Sequence, residues 1–183
     1  MVERRRAPPS RTLAESFPNN SFFLLDGSAE MLEKSKEMMK GFEVTLMTRT
    51  FEELVKGEAE DQRFDFVFSS MAIHHLGFPE KRLLYAWIYR ELRFGGLFLN
   101  YDVVLPVSER IETWHFAMWR DWMNERSKEK GRFDALPESS KAKPENKPSR
   151  LSDHLYALEE CGFCDVDCHY KYGVFCLYGG TKR

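Results

Sequence analysis

The chain has 183 residues, of which 43% are hydrophobic and 14% aromatic, which favours one globular domain with a buried core over a disordered chain. A formal net charge of -2 gives no electrostatic reason to expect nucleic acid or an anionic membrane as a partner. The basic residues 4–6 are followed by prolines and not by an apolar run, so neither a signal peptide nor a membrane span is predicted, and we expect a cytoplasmic protein.

The first half of the chain alternates predicted helices and strands. Ser28 is expected to cap the helix after the first strand, and Gly41 to end it. After the third strand, Pro79 suits the first turn of a helix that Gly95 and Gly96 stop. This helix is expected to present one apolar side, made of Leu83, Leu84, Trp87, Ile88 and Leu92. The apolar runs that predict strands lie over residues 21–26, 43–48, 64–70 and 97–104.

The second half departs from this alternation. Residues 108 to about 127 predict a helix whose aromatic face is too broad to lie in water, so it must pack on something. The polar, proline-broken residues 127–150 are typical of a mobile surface loop. A capped helix over 152–160 leads to two final strands joined near Gly173. We therefore predict an α/β fold, doubly wound, with a mostly parallel sheet and an antiparallel C-terminal hairpin, in one domain over 1–183 in which 108–150 is an insertion.

An acidic residue, Asp26, ends the first predicted strand. The carboxyl ends of strands in a doubly wound sheet face the ligand crevice, so this carboxylate can hold the two hydroxyls of a ribose. Residues 22–33 resemble the second strand and following helix of class I S-adenosylmethionine-dependent methyltransferases. Three further segments are similar, in this order, to the family's fourth strand with its loop, its fifth strand with the preceding turn, and the turn before its sixth strand: residues 64–76, 91–99 and 161–166.

This resemblance implies a Rossmann-like methyltransferase with S-adenosylmethionine as its cofactor. It implies transfer of a methyl group to a small-molecule acceptor. Displacement at a sulfonium methyl depends chiefly on holding nucleophile, carbon and sulfur in line, so the protein need not supply a nucleophile. The residues expected around the cofactor are Asp26, Gly27, Ser28, Thr50, Phe51 and Ser69.

Candidate catalytic residues follow two strand ends. His74 and His75 lie just beyond the strand over 64–70, where a neutral imidazole can take a proton from an acceptor that carries one. Asp102 lies near the end of the strand over 97–104. The structural alternatives are a histidine that hydrogen-bonds its loop, an exposed histidine and a solvated carboxylate.

Three aromatic-type residues are candidates for the acceptor site. Tyr101 lies near a strand end, where the alternative is a packed ring. Trp114 and His115 lie on the aromatic helix after the fifth strand, where the family commonly builds its acceptor pocket, and indole faces attract cations. The alternative is that these aromatic side chains pack in the core, since the large area that they bury is a sufficient reason for their presence.

One departure from the family concerns the N-terminal residues. A first strand and a Gly-rich loop are expected about twenty residues before Asp26, but residues 1–10 contain neither a strand pattern nor a glycine. The fold is therefore expected to be N-terminally incomplete, with weak cofactor binding because the methionine end loses its cradle of backbone amides. The slot between the strands over 21–26 and 64–70 would be filled by their direct pairing or by another chain, as in a homodimer.

Two other classes of function stay open at this point. One is a non-catalytic or truncated methyltransferase-like chain that acts as a binding or dimerising module, which the missing loop favours. The other is a different nucleotide-binding α/β protein, which no Walker-type or dinucleotide glycine fingerprint supports.

The cysteines near the C-terminus have a spacing that resembles a zinc motif: Cys161, Cys164, Cys168 and His169. Zinc sites join two separated pairs of ligands, whereas the last two of these residues are adjacent in a predicted strand and point to opposite faces. We therefore predict free thiols and no metal site.

Trypsin is expected to cut first within residues 127–150, at a Lys or Arg between 128 and 147, because polar loop tips are the preferred sites of nicking. Limited proteolysis followed by mass spectrometry of the fragments checks this. First cleavage within one of the predicted sheet strands would contradict it.

Overall fold

A computed structural model describes residues 9–57, 63–129, 131–135, 139 and 143–183. The chain divides into two compact units, Met1–Gly57 and Glu58–Arg183. Within the described ranges, no helix has the length and apolar character needed to cross a membrane.

The first unit is a parallel strand–helix–strand unit. Its elements are α1 (Pro9–Ser16), β1 (Ser21–Asp26), α2 (Ala29–Met38), β2 (Glu43–Thr48) and α3 (Phe51–Lys56). β1 and β2 pair in parallel, with Ser21 opposite Glu43. Parallel strands cannot be joined by a tight turn, so α2 provides the crossover between them. Leu32 of α2 and Leu54 of α3 are buried, as amphipathic helices require.

The second unit holds a four-stranded mixed sheet in the order β3-β4-β6-β5. β3 and β4 are parallel, and β6 is antiparallel to both of its neighbours. The predicted fold class, parallel strands with an antiparallel C-terminal hairpin, is confirmed. The elements are β3 (Phe64–Ser70), a 3₁₀ turn (Ile73–His75), α4 (Phe78–Glu91), β4 (Leu92–Val103), α5 (Glu109–Glu125), α6 (Leu151–Glu160), β5 (Phe163–Tyr172) and β6 (Phe175–Lys182).

The boundary between α4 and β4 differs from the prediction. α4 ends at Glu91 and β4 begins at the next residue, so Gly95 and Gly96 lie inside the strand and do not stop the helix. The pairing with β3 shifts register here, and Gly95 has a φ of +81°, which glycine adopts without strain. The two glycines therefore form an irregularity in the strand. Leu83 was predicted on the apolar side of α4 but is 56% exposed.

The start of α6 also differs from the prediction. The helix begins at Leu151, with Arg150 at its N-cap and no side-chain cap. Ser152 was predicted to begin this helix as a capping residue, but its hydroxyl instead donates to Asp153. Ser152 lies inside the first turn, where its side chain cannot serve the N-cap position.

The two faces of β4 have different environments, because successive side chains of a strand point to opposite sides. Phe98, Asn100 and Asp102 are buried. Tyr85 of α4 packs on Phe98 at a ring distance of 5.9 Å, so α4 covers this face. The alternate residues 97, 99, 101 and 103 are half-buried on the other face.

A chain of hydrogen bonds runs through the buried side of the second unit. The Asn100 amide donates to the Tyr178 hydroxyl at 2.8 Å, and this hydroxyl lies 3.1 Å from that of Tyr85. The Tyr85 hydroxyl also lies 2.6 Å from Nδ1 of His154 on α6. These four side chains are almost fully buried, so their hydrogen bonds join β4, β6, α4 and α6.

The aromatic helix forms as predicted, with Ser108 as its N-cap, but its face is only partly covered. Trp119 meets the ring of Phe175 edge-on at 5.1 Å, and Phe175 stacks on Tyr101 at 6.3 Å. Phe116 is buried, whereas Trp114 is 58% exposed. α5 therefore packs on the second face of the sheet through its middle turns.

Part of the loop predicted over 127–150 is hydrogen-bonded to the rest of the second unit. The backbone amide of Lys147 donates to the His74 carbonyl at 2.7 Å, and the amide of Leu105 donates to the Ser149 carbonyl at 2.9 Å. The prediction of a mobile segment is wrong for residues 145–149. Residues 130, 136–138 and 140–142 of the predicted loop lie outside the described ranges. The expected tryptic cuts are then those at the exposed Lys128 and Arg132.

The buried His154 is expected to make the protein less stable in mild acid. Burial lowers the pKa of His154 to about 4, and the Lys81 charge acts in the same direction. A histidine in an unfolded chain titrates near 6.5. Between these values the unfolded chain binds a proton that the folded chain does not. The free energy of unfolding therefore falls as the pH falls from about 6.5 to about 4, by on the order of 3 kcal/mol for this group.

Urea unfolding of the parent and of His154→Gln at about pH 7 and about pH 4.5 measures this contribution. The variant is expected to lose less stability on acidification than the parent. An equal loss in both proteins would contradict the assignment to His154.

Candidate functional site

The turn after β1 is fixed by the side chain of its last residue. Asp26 is exposed, and its Oδ1 accepts a hydrogen bond from the Ser28 amide at 2.8 Å. The Ser28 hydroxyl in turn accepts from the Met31 amide at 3.3 Å and caps α2. The other carboxylate oxygen, Oδ2, has no hydrogen-bond partner in the described part of the chain. A ligand hydroxyl can therefore donate to it.

The turn after β2 lies beside the turn after β1. Thr50 caps α3 through a capping box, in which its hydroxyl accepts from the Glu53 amide and the Glu53 carboxylate accepts from the Thr50 amide. A Cβ placed on Gly27 would lie 3.5 Å from Cγ2 of Thr50. Glycine therefore leaves space between the two strand ends that any side chain would enter.

Five of the six predicted cofactor residues lie together at this edge of the first unit, as expected for the carboxyl ends of parallel strands. The N-termini of α2 and α3 lie at the same edge, and their partial positive charges favour an anionic group there. The five residues are Asp26, Gly27, Ser28, Thr50 and Phe51. The sixth, Ser69, lies in β3 of the second unit, half-buried and in register with Asn100.

Asp102 and His74 form a buried pair in the second unit. Asp102 Oδ1 lies 2.6 Å from His74 Nδ1, and Asp102 Oδ2 accepts from the His74 amide at 2.9 Å. The amide of Val103 donates to the same carboxylate. A carboxylate that accepts three hydrogen bonds assigns the ring proton of His74 to Nδ1. The pair is almost fully buried, so Asp102 is not the solvated loop carboxylate of the structural alternative.

The second ring nitrogen of His74 is free to accept a proton. Nε2 has no hydrogen-bond partner within the described ranges, and it is not one of the fully buried nitrogens that lack a partner. An imidazole whose Nδ1–H is held by a carboxylate and whose Nε2 is open has the arrangement of a general base.

The neighbouring histidine has a different environment. His75 is exposed, and its ring lies 4.0 Å from the ring of His74. Its Nδ1 donates to the Glu145 carbonyl at 3.3 Å. The ring of His75 is therefore bonded to the loop over 145–149, whereas the ring of His74 is bonded to Asp102 of the sheet.

The three predicted acceptor residues do not share one environment. Tyr101 points away from Asp102, on the other face of β4, where burial raises the pKa of its hydroxyl. Trp114 is exposed, and its ring lies 5.3 Å from that of His115. His115 is buried beside Gly173, and its Nδ1 has no hydrogen-bond partner among the described residues. Burial and the Lys171 charge lower the pKa of His115.

Two of the cysteine thiols donate to backbone carbonyls. Cys168 Sγ donates to the Tyr170 carbonyl at 3.4 Å, and Cys161 Sγ donates to the Arg82 carbonyl at 3.8 Å. Over the described ranges, no three His, Cys, Asp or Glu side chains converge as metal ligands would.

Sequence reasoning missed one charged residue near the Asp102–His74 pair. Lys81 is fully buried in the first turn of α4 and interacts electrostatically with Asp102. The available signal was its helical spacing from Leu84, Tyr85 and Ile88, which places it on the buried face of the helix.

Parallel strand–helix–strand units, an acidic residue at the end of β1 and an antiparallel C-terminal hairpin define a Rossmann-like fold of the methyltransferase type. Residues 8–96, about half of the chain, match the family described as the methyltransferase domain. The resemblance to class I S-adenosylmethionine-dependent methyltransferases predicted from the sequence is thereby confirmed.

Solved methyltransferase structures share this fold. An O-methyltransferase family protein from Burkholderia thailandensis is 10% identical, with a TM-score of 0.67 over 94% of this chain and 47% of that one. PigF with SAH is 15% identical, with a TM-score of 0.63 over 94% and 47%. Human N-acetylserotonin methyltransferase in complex with SAM is 13% identical, with a TM-score of 0.61 over 94% and 44%.

At these identities the likeness shows the fold alone. The chain spans less than half the length of each of these three proteins. A comparison with functionally curated proteins finds no match to the sequence.

Replacing Asp102 with Asn is expected to destabilise the protein, because the amide cannot accept all three hydrogen bonds. Each charge-assisted hydrogen bond that is lost costs roughly 1.5–3 kcal/mol. The matched control is Asp65→Asn, whose exposed ion pair with Arg93 is worth about 0–1 kcal/mol. Urea unfolding measures both variants, and equal stability of Asp102→Asn and the control would contradict the buried acceptor role.

Proposed function

We propose that this chain binds S-adenosylmethionine and takes part in methyl transfer to a small-molecule acceptor. The observation that carries the proposal is the Asp26 carboxylate, which keeps one oxygen free at the carboxyl end of β1 between two helix N-termini. This residue lies in the segment that matches the methyltransferase domain family. The bound cofactor would supply a sulfonium methyl group.

The residues around Asp26 have the hydrogen-bond acceptors and the space that the ribose of the cofactor requires. A ribose presents two neighbouring hydroxyls, and the free Oδ2 together with the second lone pair of Oδ1 can accept both. Gly27 leaves the adjacent space open, beside the Thr50 methyl group. Ser28, Thr50 and Phe51 complete the proposed cofactor-binding group of the first unit. Ser69, in the second unit, remains a proposed cofactor residue from the sequence alone.

His74 is the proposed base for an acceptor that carries a proton. Asp102 holds its Nδ1–H, which fixes the tautomer and leaves Nε2 as the proton acceptor. Asp102 touches neither the acceptor nor its proton in this proposal and acts by orienting the ring. The exposed His75 is a second proposed proton acceptor.

The acceptor class in the proposal comes from a protein that shares the fold. Human N-acetylserotonin methyltransferase, which shares the fold, is named for a small-molecule acceptor, and we extend this class of acceptor to the chain. Trp114, with its exposed indole, and His115 and Tyr101 are the proposed acceptor residues.

Calorimetry with S-adenosylhomocysteine tests the cofactor proposal without an acceptor. Asp26→Asn keeps an oxygen for the Ser28 amide but removes the charge, so its affinity is expected to fall at least about tenfold, a difference of 1.4 kcal/mol. The matched control is Glu33→Gln, an exposed carboxylate on α2 that loses the same charge. Equal affinity of Asp26→Asn and the control would remove Asp26 from the site, and no binding by the parent would contradict the proposed function.

A further inference from the structure

A buried lysine lies next to the loop that covers the histidines. Lys81 has no exposed surface, although an ammonium group is costly to bury without partners. Its Nζ donates to the carbonyl of Lys147 and, at 2.9 Å, to the hydroxyl of Ser149. Both acceptors lie in residues 145–149, which we call the strap. Two of the three ammonium donors thus go to the strap.

The strap is also bonded to the histidine turn. The Lys147 amide donates to the His74 carbonyl at 2.7 Å, and the Glu145 carbonyl accepts from His75. The strap's far end continues into a parallel bridge between Arg150 and Leu105, just after β4. Pro148 has no amide hydrogen and a fixed φ, which reduces the conformations open to the strap.

The acidic residues around Lys81 favour its protonated, cationic form over the neutral amine. Asp102 attracts it from the end of β4, and Glu80 attracts it from the preceding position of α4. Lys147 of the strap opposes them, and burial lowers the pKa of Lys81 to about 8. His154 of α6, which also faces the ammonium, has its pKa lowered to about 4 and is neutral near pH 7. Lys81 is therefore mostly a cation near pH 7, with Asp102 as its main opposite charge.

From these contacts we infer that Lys81 is a positioning residue for His74. It holds the strap, and the strap holds the backbone of His74, while Asp102 holds the ring of the same residue. The imidazole is restrained from both sides, as a proton acceptor that must meet its substrate at hydrogen-bond distance requires. The inference rests on the proposed function, in which His74 is the base.

The test uses the full chain and two readouts that do not need an acceptor. One is hydrogen exchange of the Lys147 amide, measured by NMR. The other is the ¹H–¹⁵N signal of the His74 Nδ1–H group, which reports whether the ring stays bonded to Asp102. S-adenosylhomocysteine affinity is measured in parallel.

Lys81→Met removes the charge and the donors and keeps an unbranched chain. We expect exchange of the Lys147 amide to become about tenfold faster or more, because the strap opens locally. The His74 Nδ1–H signal is expected to broaden through exchange with water. Lys81→Gln keeps donor hydrogens and is expected to restore part of the protection. Arg82→Met, which removes an exposed charge from the next position of α4, is the matched control and is expected to change neither readout.

A folded Lys81→Met protein with parent-like exchange at Lys147 and a parent-like His74 signal would overturn the inference, because a lysine that only stabilises the fold leaves both unchanged. If Lys81→Met does not fold, Ser149→Ala decides, since it removes one of the two acceptors and keeps the lysine. Faster exchange at Lys147 in Ser149→Ala supports the inference, and unchanged exchange overturns it. If the parent does not bind S-adenosylhomocysteine, the proposed function is contradicted, whereas the strap contacts are not.

Discussion

The second unit depends on the buried carboxylate of Asp102. It accepts hydrogen bonds from the backbone amide and the ring Nδ1–H of His74, and it interacts electrostatically with the ammonium of Lys81. Three segments distant in sequence, the turn after β3, the end of β4 and the first turn of α4, thus share one charge. A buried carboxylate is costly unless hydrogen-bonded and paired, so the placement of these segments is mutually constrained.

A series of hydrogen-bonded polar side chains in the buried side of the second unit adds a further constraint. Tyr85, Tyr178, Asn100 and His154 link two strands and two helices by side-chain hydrogen bonds. Burial holds the pKa of both tyrosines above the ordinary value and that of His154 below it, so all three are neutral near pH 7. A neutral polar layer avoids further unpaired charge next to Asp102 and Lys81.

The first unit uses short-range contacts instead. Asp26, Ser28 and Thr50 are fixed by hydrogen bonds within three residues along the chain. They require no distant partner, since strand-end turns and N-caps are local structures. This explains why a pattern read from the sequence predicted the turn after β1 and the Ser28 cap.

The sequence by itself determined the strands β1, β2 and β3, the Ser28 cap, the C-terminal hairpin and the group around Asp26, because apolar runs, caps and turns act over a few residues. It failed at Gly95 and Gly96, where pairing with β3 placed glycines inside a strand, and at Ser152. Only the tertiary structure decided that Asp102 is buried against His74, that Lys81 is buried and interacts electrostatically with Asp102, and that residues 145–149 are hydrogen-bonded to the rest of the second unit. These contacts join residues 21 to 73 positions apart, and local periodicity cannot show which distant polar groups satisfy one another.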